Sequence, residues 1–140
     1  MENVAAPVAI ELRVRYAETD QMGVVYHANY LPWCEIARTE LIRRRWRSYA
    51  DLESEGIRLA VSEATLRYHA PARYDDLIRV ECRTETVRSR AVSFSYLVSR
   101  IVEGMEPVRL VSARTDLVAI DHSGRPRQLP ADLVARLRGE

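Results

Sequence analysis

The sequence predicts an α+β fold in which one antiparallel β-sheet wraps around a single long helix. Three observations carry that expectation. A helical stretch with one apolar stripe follows a first strand. Four further strand-like segments come after it, joined by short turns. No linker, repeat or low-complexity tract interrupts the 140 residues. Long strands joined by short turns favour antiparallel pairing, and the element order reads β-α-β-β-β-β. A helix with a stripe to bury and a sheet with a face to bury satisfy each other when packed together. At 16.1 kDa the chain is expected to form a single domain, residues 1–140. A chain of this size can bury roughly two-thirds of its unfolded surface. Open sheet edges would be covered by pairing two sheets in a dimer.

Val8 to Tyr16 alternates, with Val8, Ile10, Leu12, Val14 and Tyr16 on one side and Glu11, Arg13 and Arg15 on the other. That is the period of a strand. After a compact loop, a helix is expected from Asn29 to Tyr49. Asn29 suits an N-cap, and Pro32 falls in the first turn, where its missing N–H costs little. Tyr30, Trp33, Cys34, Ala37 and Leu41 recur at helical spacing and form the stripe. Glu35 and Arg38 are spaced to pair on the helix surface, and Arg43, Arg44 and Arg45 are expected on a solvated face. The remaining strands are Arg58–Tyr68, Leu77–Val87, Ala91–Val102 and Val108–Ile120. In Leu77–Val87 the polar Arg79, Glu81, Arg83 and Glu85 alternate with Ile78, Val80, Cys82 and Thr84, so one face is wet and one packed. Tyr68 and His69 alternate, so one is expected in and one out. A short helix, Ala131–Leu137, closes the chain after Pro130.

Composition excludes several function classes. Apolar residues make up 47% and charged residues 29%, which places the chain among ordinary globular proteins rather than disordered ones. The net charge of +1 gives no field that would draw it to nucleic acid or anionic lipid. All 21 basic residues are Arg. Without lysine there is no Schiff base, no lysine base and no phosphate-loop lysine, yet arginine forks still suit anionic ligands. Cys34 and Cys82 form no CxxC pair and read as core residues. The start Met1-Glu2-Asn3-Val4 carries no basic and apolar leader, and no run is long enough to span a bilayer. A cytoplasmic location without stable membrane insertion is therefore expected. No phosphate-cradling glycine motif, nucleophile elbow or HExxH is present. The spacing of His27, His69 and His122 does not signal a metal site, and no metal or cofactor is expected.

The loop Ala17–Ala28 is the unusual segment. It gathers Glu18, Thr19, Asp20, Gly23, Tyr26 and His27 just ahead of a helix start. The first turn of a helix offers unpaired N–H groups and a partial positive charge. Those donors suit an anion, including the oxyanion of an acyl-transfer intermediate. Gly23 would let the backbone approach a ligand, and Asp20 could attack a carbonyl or activate water. The same residues also suit a plain turn, with Asp20 capping its own loop and His27 only packing. Spacing leaves both readings open.

The run Tyr16-Ala17-Glu18-Thr19-Asp20-Gln21-Met22-Gly23-Val24-Val25-Tyr26-His27-Ala28-Asn29-Tyr30 resembles the signature of hotdog-fold acyl-CoA thioesterases of the 4-hydroxybenzoyl-CoA thioesterase type. The likeness is strongest to the branch typified by the Tol-Pal-associated acyl-CoA thioesterase of bacteria. It continues through Glu35–Glu40, Tyr68–Asp76 and Pro126–Pro130, and so covers nearly the whole chain in order.

That resemblance implies the hotdog fold and hydrolysis of acyl-CoA thioesters. It implies that Asp20 is the catalytic aspartate, acting as nucleophile or as general base. The backbone N–H of His27 would be the oxyanion donor, and its side chain would orient substrate or water. Gly23 and Val24 would form the turn that sets Asp20 against the thioester. Tyr26 and Tyr30 would shape the acyl pocket or the core. The turn Val87-Arg88-Ser89-Arg90-Ala91 would meet the nucleotide end of CoA through Arg88, Ser89 and Arg90, although the same turn could be an ordinary solvated tip. A homodimer or homotetramer is implied. Three alternatives share the fold: hydrolysis of acyl-acyl-carrier-protein thioesters, hydratase or dehydratase chemistry with His27, and a non-catalytic acyl-CoA-binding protein.

Overall fold

In the computed structural model, residues 6–140 are described. The start Met1–Val4, from which no leader is expected, lies outside them. The strands are β1 (Val8–Arg13), β2 (Arg58–Tyr68), β3 (Leu77–Val87), β4 (Ala91–Arg100) and β5 (Val108–Ile120). They form one five-stranded sheet in the order β1-β3-β4-β5-β2, antiparallel throughout. The helices are α1 (Tyr30–Arg45), α2 (Tyr49–Ser54) and α3 (Ala131–Leu137).

The alternation expected in β3 is present: Ile78, Val80, Cys82 and Thr84 are buried, and the residues between them are not. The α1 stripe is likewise buried, from Tyr30 and Trp33 through Cys34 and Ala37 to Leu41, with Ile42 added. These side chains meet Val80, Phe94, Val98 and Leu110 of the sheet in one core. The helix sits closest over β1 and β3. Strand register places Arg13, Leu77, Arg100, Val108 and Tyr68 at one end of the sheet. Val87, Ala91, Ile120 and Arg58 mark the other end, about 30 Å away over the eleven residues of β3, and β1 begins at Val8 opposite Cys82, midway between the two ends.

Several boundaries differ from expectation, each for a physical reason. β1 stops at Arg13 because the chain then leaves β3: Val14 N–H donates to Asp76 O and Asp75 N–H to Val14 O. Tyr16 enters a short 3-10 turn, Tyr16–Glu18, and is 78% exposed instead of packed. The central helix ends at Arg45, where Trp46 leaves helical geometry. The basic run Arg43–Arg45 suits that C-terminus electrostatically, and Glu40 pairs with Arg43 and Arg44. Ser48 then starts α2, its Oγ accepting Asp51 N–H at 3.1 Å. β4 ends at Arg100, not Val102. Tyr68 and His69 are both exposed, because β2 is the edge strand and ends there.

Candidate active site

The loop between β1 and α1 is built around Glu18. Its carboxylate is buried and fully engaged: Oε1 accepts Arg15 N–H at 2.7 Å, and Oε2 accepts the Trp33 indole N–H at 2.8 Å. The Arg15 guanidinium stands 3.5 Å away. The Glu18 carbonyl accepts two more donors, Tyr26 N–H and the Asn29 side-chain amide. One residue thus bolts strand exit, loop and helix entry together. Asn29 is a correction: it has helical geometry, and its side chain makes this tertiary bond instead of capping α1.

Asp20 occupies the turn that Glu18 supports. Its N–H donates to Val24 O, its carbonyl accepts Gly23 N–H, and its Oδ1 accepts Met22 N–H at 2.8 Å. Among the described residues Oδ2 accepts no hydrogen bond. Gly23 has φ +80, a conformation costly for residues with a Cβ, and open space lies where a Cβ would be. Val24 therefore turns back beside Asp20, and Val25 N–H closes the segment onto Ala72 O. The carboxylate is half-buried, one oxygen held by the turn and the other unbonded.

His27 opens a 3-10 turn, His27–Asn29, that runs directly into α1. Its N–H has no hydrogen-bond partner among the described residues, so a donor with the partial positive charge of a helix start is available there. Its carbonyl accepts the Tyr68 hydroxyl at 3.0 Å, and its ring packs at a tilt against Tyr26, 4.4 Å between centroids. A cleft of about 250 Å³ opens beside it, lined by Val25, His27, Tyr30, Tyr68, His69 and Pro71 among others. Tyr30 is both cleft wall and core, with its hydroxyl accepting Ala72 N–H and burial raising its pKa. Tyr26 is about half exposed. Asp20 stands on the turn leading into this wall and is not part of the wall itself.

His69 joins His27 in the cleft, its Nε2 2.7 Å from Ser112 Oγ, whereas His122 lies in a distant turn. Desolvation lowers the His69 pKa, and the positive charges of Arg109 and Arg67 lower it further.

The Arg88–Ser89–Arg90 turn lies at the opposite end of the sheet from Asp20 within the same chain. Its backbone is fastened: Arg88 N–H to Ala91 O, Ala119 N–H to Arg90 O and Leu129 N–H to Ser89 O. All three side chains are exposed. The sequence places Glu18 in this loop but does not reveal it as the anchor, because its partner Trp33 lies fifteen residues away, a distance no local pattern discloses.

This architecture is the hotdog fold, and comparison with known proteins places the chain among thioesterases. The thioesterase-like superfamily matches residues 14–137, and the chain belongs to it. The acyl-CoA thioester hydrolase YbgC of Escherichia coli O6:H1 is 36% identical over 128 residues, spanning 91% of this chain and 92% of that protein. A DHNA-CoA thioesterase from Staphylococcus aureus superposes with a TM-score of 0.81 at 31% identity, over 88% of this chain and 80% of that one. A 4-hydroxybenzoyl CoA thioesterase mutant complexed with 4-hydroxybenzoyl CoA reaches a TM-score of 0.86 at 19% identity, over 95% and 99% of the two chains, and shows the shared fold.

Proposed function

We propose that the chain hydrolyses acyl-CoA thioesters to free acid and CoA, with Asp20 as the reacting carboxylate and the helix start at His27 as the oxyanion site. The supporting observation is one short segment that holds a half-bonded carboxylate and an unengaged N–H, next to an apolar cleft. The superfamily match and the 36% identity to an acyl-CoA thioester hydrolase support the same reaction.

In the nucleophilic course, an Asp20 oxygen adds to the thioester carbonyl carbon. The carbonyl electron pair moves onto its oxygen, where the His27 N–H and the helix dipole stabilise it. Collapse breaks the C–S bond and releases thiolate, and water then cleaves the anhydride left on Asp20. In the general-base course, Asp20 takes a proton from water as that water adds. Both courses use one oxyanion site and one leaving group. A thiol of pKa ~8–9 leaves without strong protonation, so a lone carboxylate suffices where a triad is absent. Hydroxylamine trapping at Asp20 separates the courses. Gly23 and Val24 set the turn, and Tyr26 and Tyr30 bound the acyl group.

The working unit is a homodimer paired through β2. This strand is a sheet edge with Val61 and Ala64 exposed, and an unpaired edge is a template for a second copy. Antiparallel pairing of two β2 strands would set the Arg88–Arg90 end of one copy beside the Asp20 end of the other. The nucleotide of CoA would then be held across the two copies. A cytoplasmic location fits two free thiols.

Release of free thiol from acyl-CoA tests the reading. Asp20→Asn is expected to lower turnover about 10²–10⁴-fold with folding unchanged. A variant retaining more than about a tenth of the rate removes Asp20 from this role.

A further inference from the structure

The chemistry above needs the His27 N–H to face one fixed point, and the chain must hold it there. Both peptide planes that meet at this residue are tied. The Tyr26 carbonyl accepts Asn29 N–H at 2.9 Å inside the turn itself. The His27 carbonyl accepts the hydroxyl of Tyr68 at 3.0 Å, from a side chain 41 residues away on another element. The His27 N–H belongs to the first of these planes and has no partner among the described residues. It therefore leaves from a backbone pinned on both sides.

Tyr68 is the last residue of β2, the edge strand, and shares a strand face with Leu66, which packs on the core. The central helix lies over β1 and β3, away from that edge. Tyr68 reaches the helix start from the sheet side. Its ring meets Tyr30 and His27 edge to face, at 5.7 and 6.4 Å between centroids, and its hydroxyl ends on the turn. From the loop side, the Glu18 carbonyl holds the same turn through Tyr26 N–H and the Asn29 amide. A phenol has one proton to donate. Here that proton lies on the His27 carbonyl, so Tyr68 has none to offer an oxyanion. It can place the donor but cannot be the donor. Tyr68 is 49% exposed, so losing its hydroxyl should leave the stability of the fold almost unchanged.

We propose that Tyr68 is a positioning residue for thioester hydrolysis: by holding the His27 carbonyl, its hydroxyl aims the His27 N–H at the thioester oxygen, a role that rests on the reading of that N–H as the oxyanion site.

Tyr68→Phe keeps the ring and both aromatic contacts and removes the one bond. The kcat for acyl-CoA should fall about tenfold, short of the ~10²–10³-fold that deleting an oxyanion donor costs. KM should stay within about twofold, and thermal unfolding should not change. Infrared spectroscopy reads the aim of the N–H without turnover. In the Asp20→Asn protein, the acyl-CoA that the unmodified enzyme turns over fastest, isotope-labelled at its carbonyl, should show that stretch at lower frequency than in free solution. Adding Tyr68→Phe to Asp20→Asn should remove most of the downshift. A downshift equal with and without the Tyr68 hydroxyl, or a kcat within about twofold of the parent's, overturns the proposal and leaves the oxyanion site in place. A lower unfolding midpoint, or a KM that rises in step with the loss of kcat, makes Tyr68 merely structural and overturns it as well. No downshift even with Tyr68 intact removes the oxyanion site from His27, and the role of Tyr68 falls with it.

Discussion

The two ends of the sheet are built on opposite plans. At the Asp20 end the functional groups themselves are tied down: Glu18 by Arg15 and Trp33, Asp20 Oδ1 by Met22, and His27 O by Tyr68. At the Arg88 end the backbone is tied to Ala91, Ala119 and Leu129, and the arginine side chains are left exposed. The contrast fits the roles proposed above for the two ends. A group that attacks a carbonyl must be placed within a fraction of an ångström. A guanidinium that meets a phosphate gains from charge at looser geometry, and a flexible stem lets it find its partner.

The largest change after Asp20→Asn should come from loosening the tied end. Glu18→Ala leaves the buried Trp33 indole N–H and the Arg15 N–H without acceptors. Each orphaned donor costs about 1–3 kcal/mol, so thermal unfolding should show a clear drop in stability. Turnover should fall at least about tenfold, because the turn carrying Asp20 loses its support. Glu18→Gln, which keeps an acceptor in place, should recover most of both. Unchanged stability in Glu18→Ala would break the contrast, since the loop would then not depend on that anchor.

A smaller effect is expected at the other end. The double variant Arg88→Ala, Arg90→Ala should raise KM for acyl-CoA severalfold with kcat little changed, and should leave short pantetheine thioesters almost untouched. Equal effects on both substrates would show that the turn does not read the nucleotide. Mixed dimers of this variant with Asp20→Asn sharpen the point. If the site is shared, the mixed dimer holds one complete site and one doubly impaired site, and it regains near half of the full low-substrate rate.

The smallest expected effect is on acid stability. Glu40, Asp116, Asp121 and Asp132 are held below their ordinary pKa values. Hydrogen bonds lead in each case: Arg44 to Glu40, Ser93 to Asp116, the Arg125 N–H to Asp121 and the Trp46 indole to Asp132. Their stabilisation is complete above the ordinary carboxylate range near pH ~4 and is lost as pH falls through the lowered folded values. These groups are water-accessible, so unfolding midpoints should change little from neutral pH to about 5 and decline gradually below that.

Much of the fold was legible because it follows local periodicity. β2, β3, β5 and α3 begin and end where alternation, turn residues and Pro130 indicate. The buried stripe of α1 was legible for the same reason. The end of α1 was not, since Trp46 and Tyr49 prolong the apolar pattern past a break that only backbone geometry reveals. Asn29 looks like a cap from its position, yet its side chain is drawn to a carbonyl eleven residues back. At the site, Asp20, Gly23 and His27 lie close together in the chain, and their type and order pointed to the loop. The role of Glu18 depends on a partner brought in by folding, an indole on the helix. The trans placement proposed for Arg88–Arg90 would depend on sheet register and on pairing between copies, neither of which is written in the turn itself.

An enzyme that liberates a sulfhydryl compound at every cycle risks capturing it as a mixed disulfide. Exchange of that kind needs a reachable thiolate. Cys34 and Cys82 are completely enclosed, and burial keeps both protonated. The core that supports the helix thereby also protects the catalyst from its own departing group.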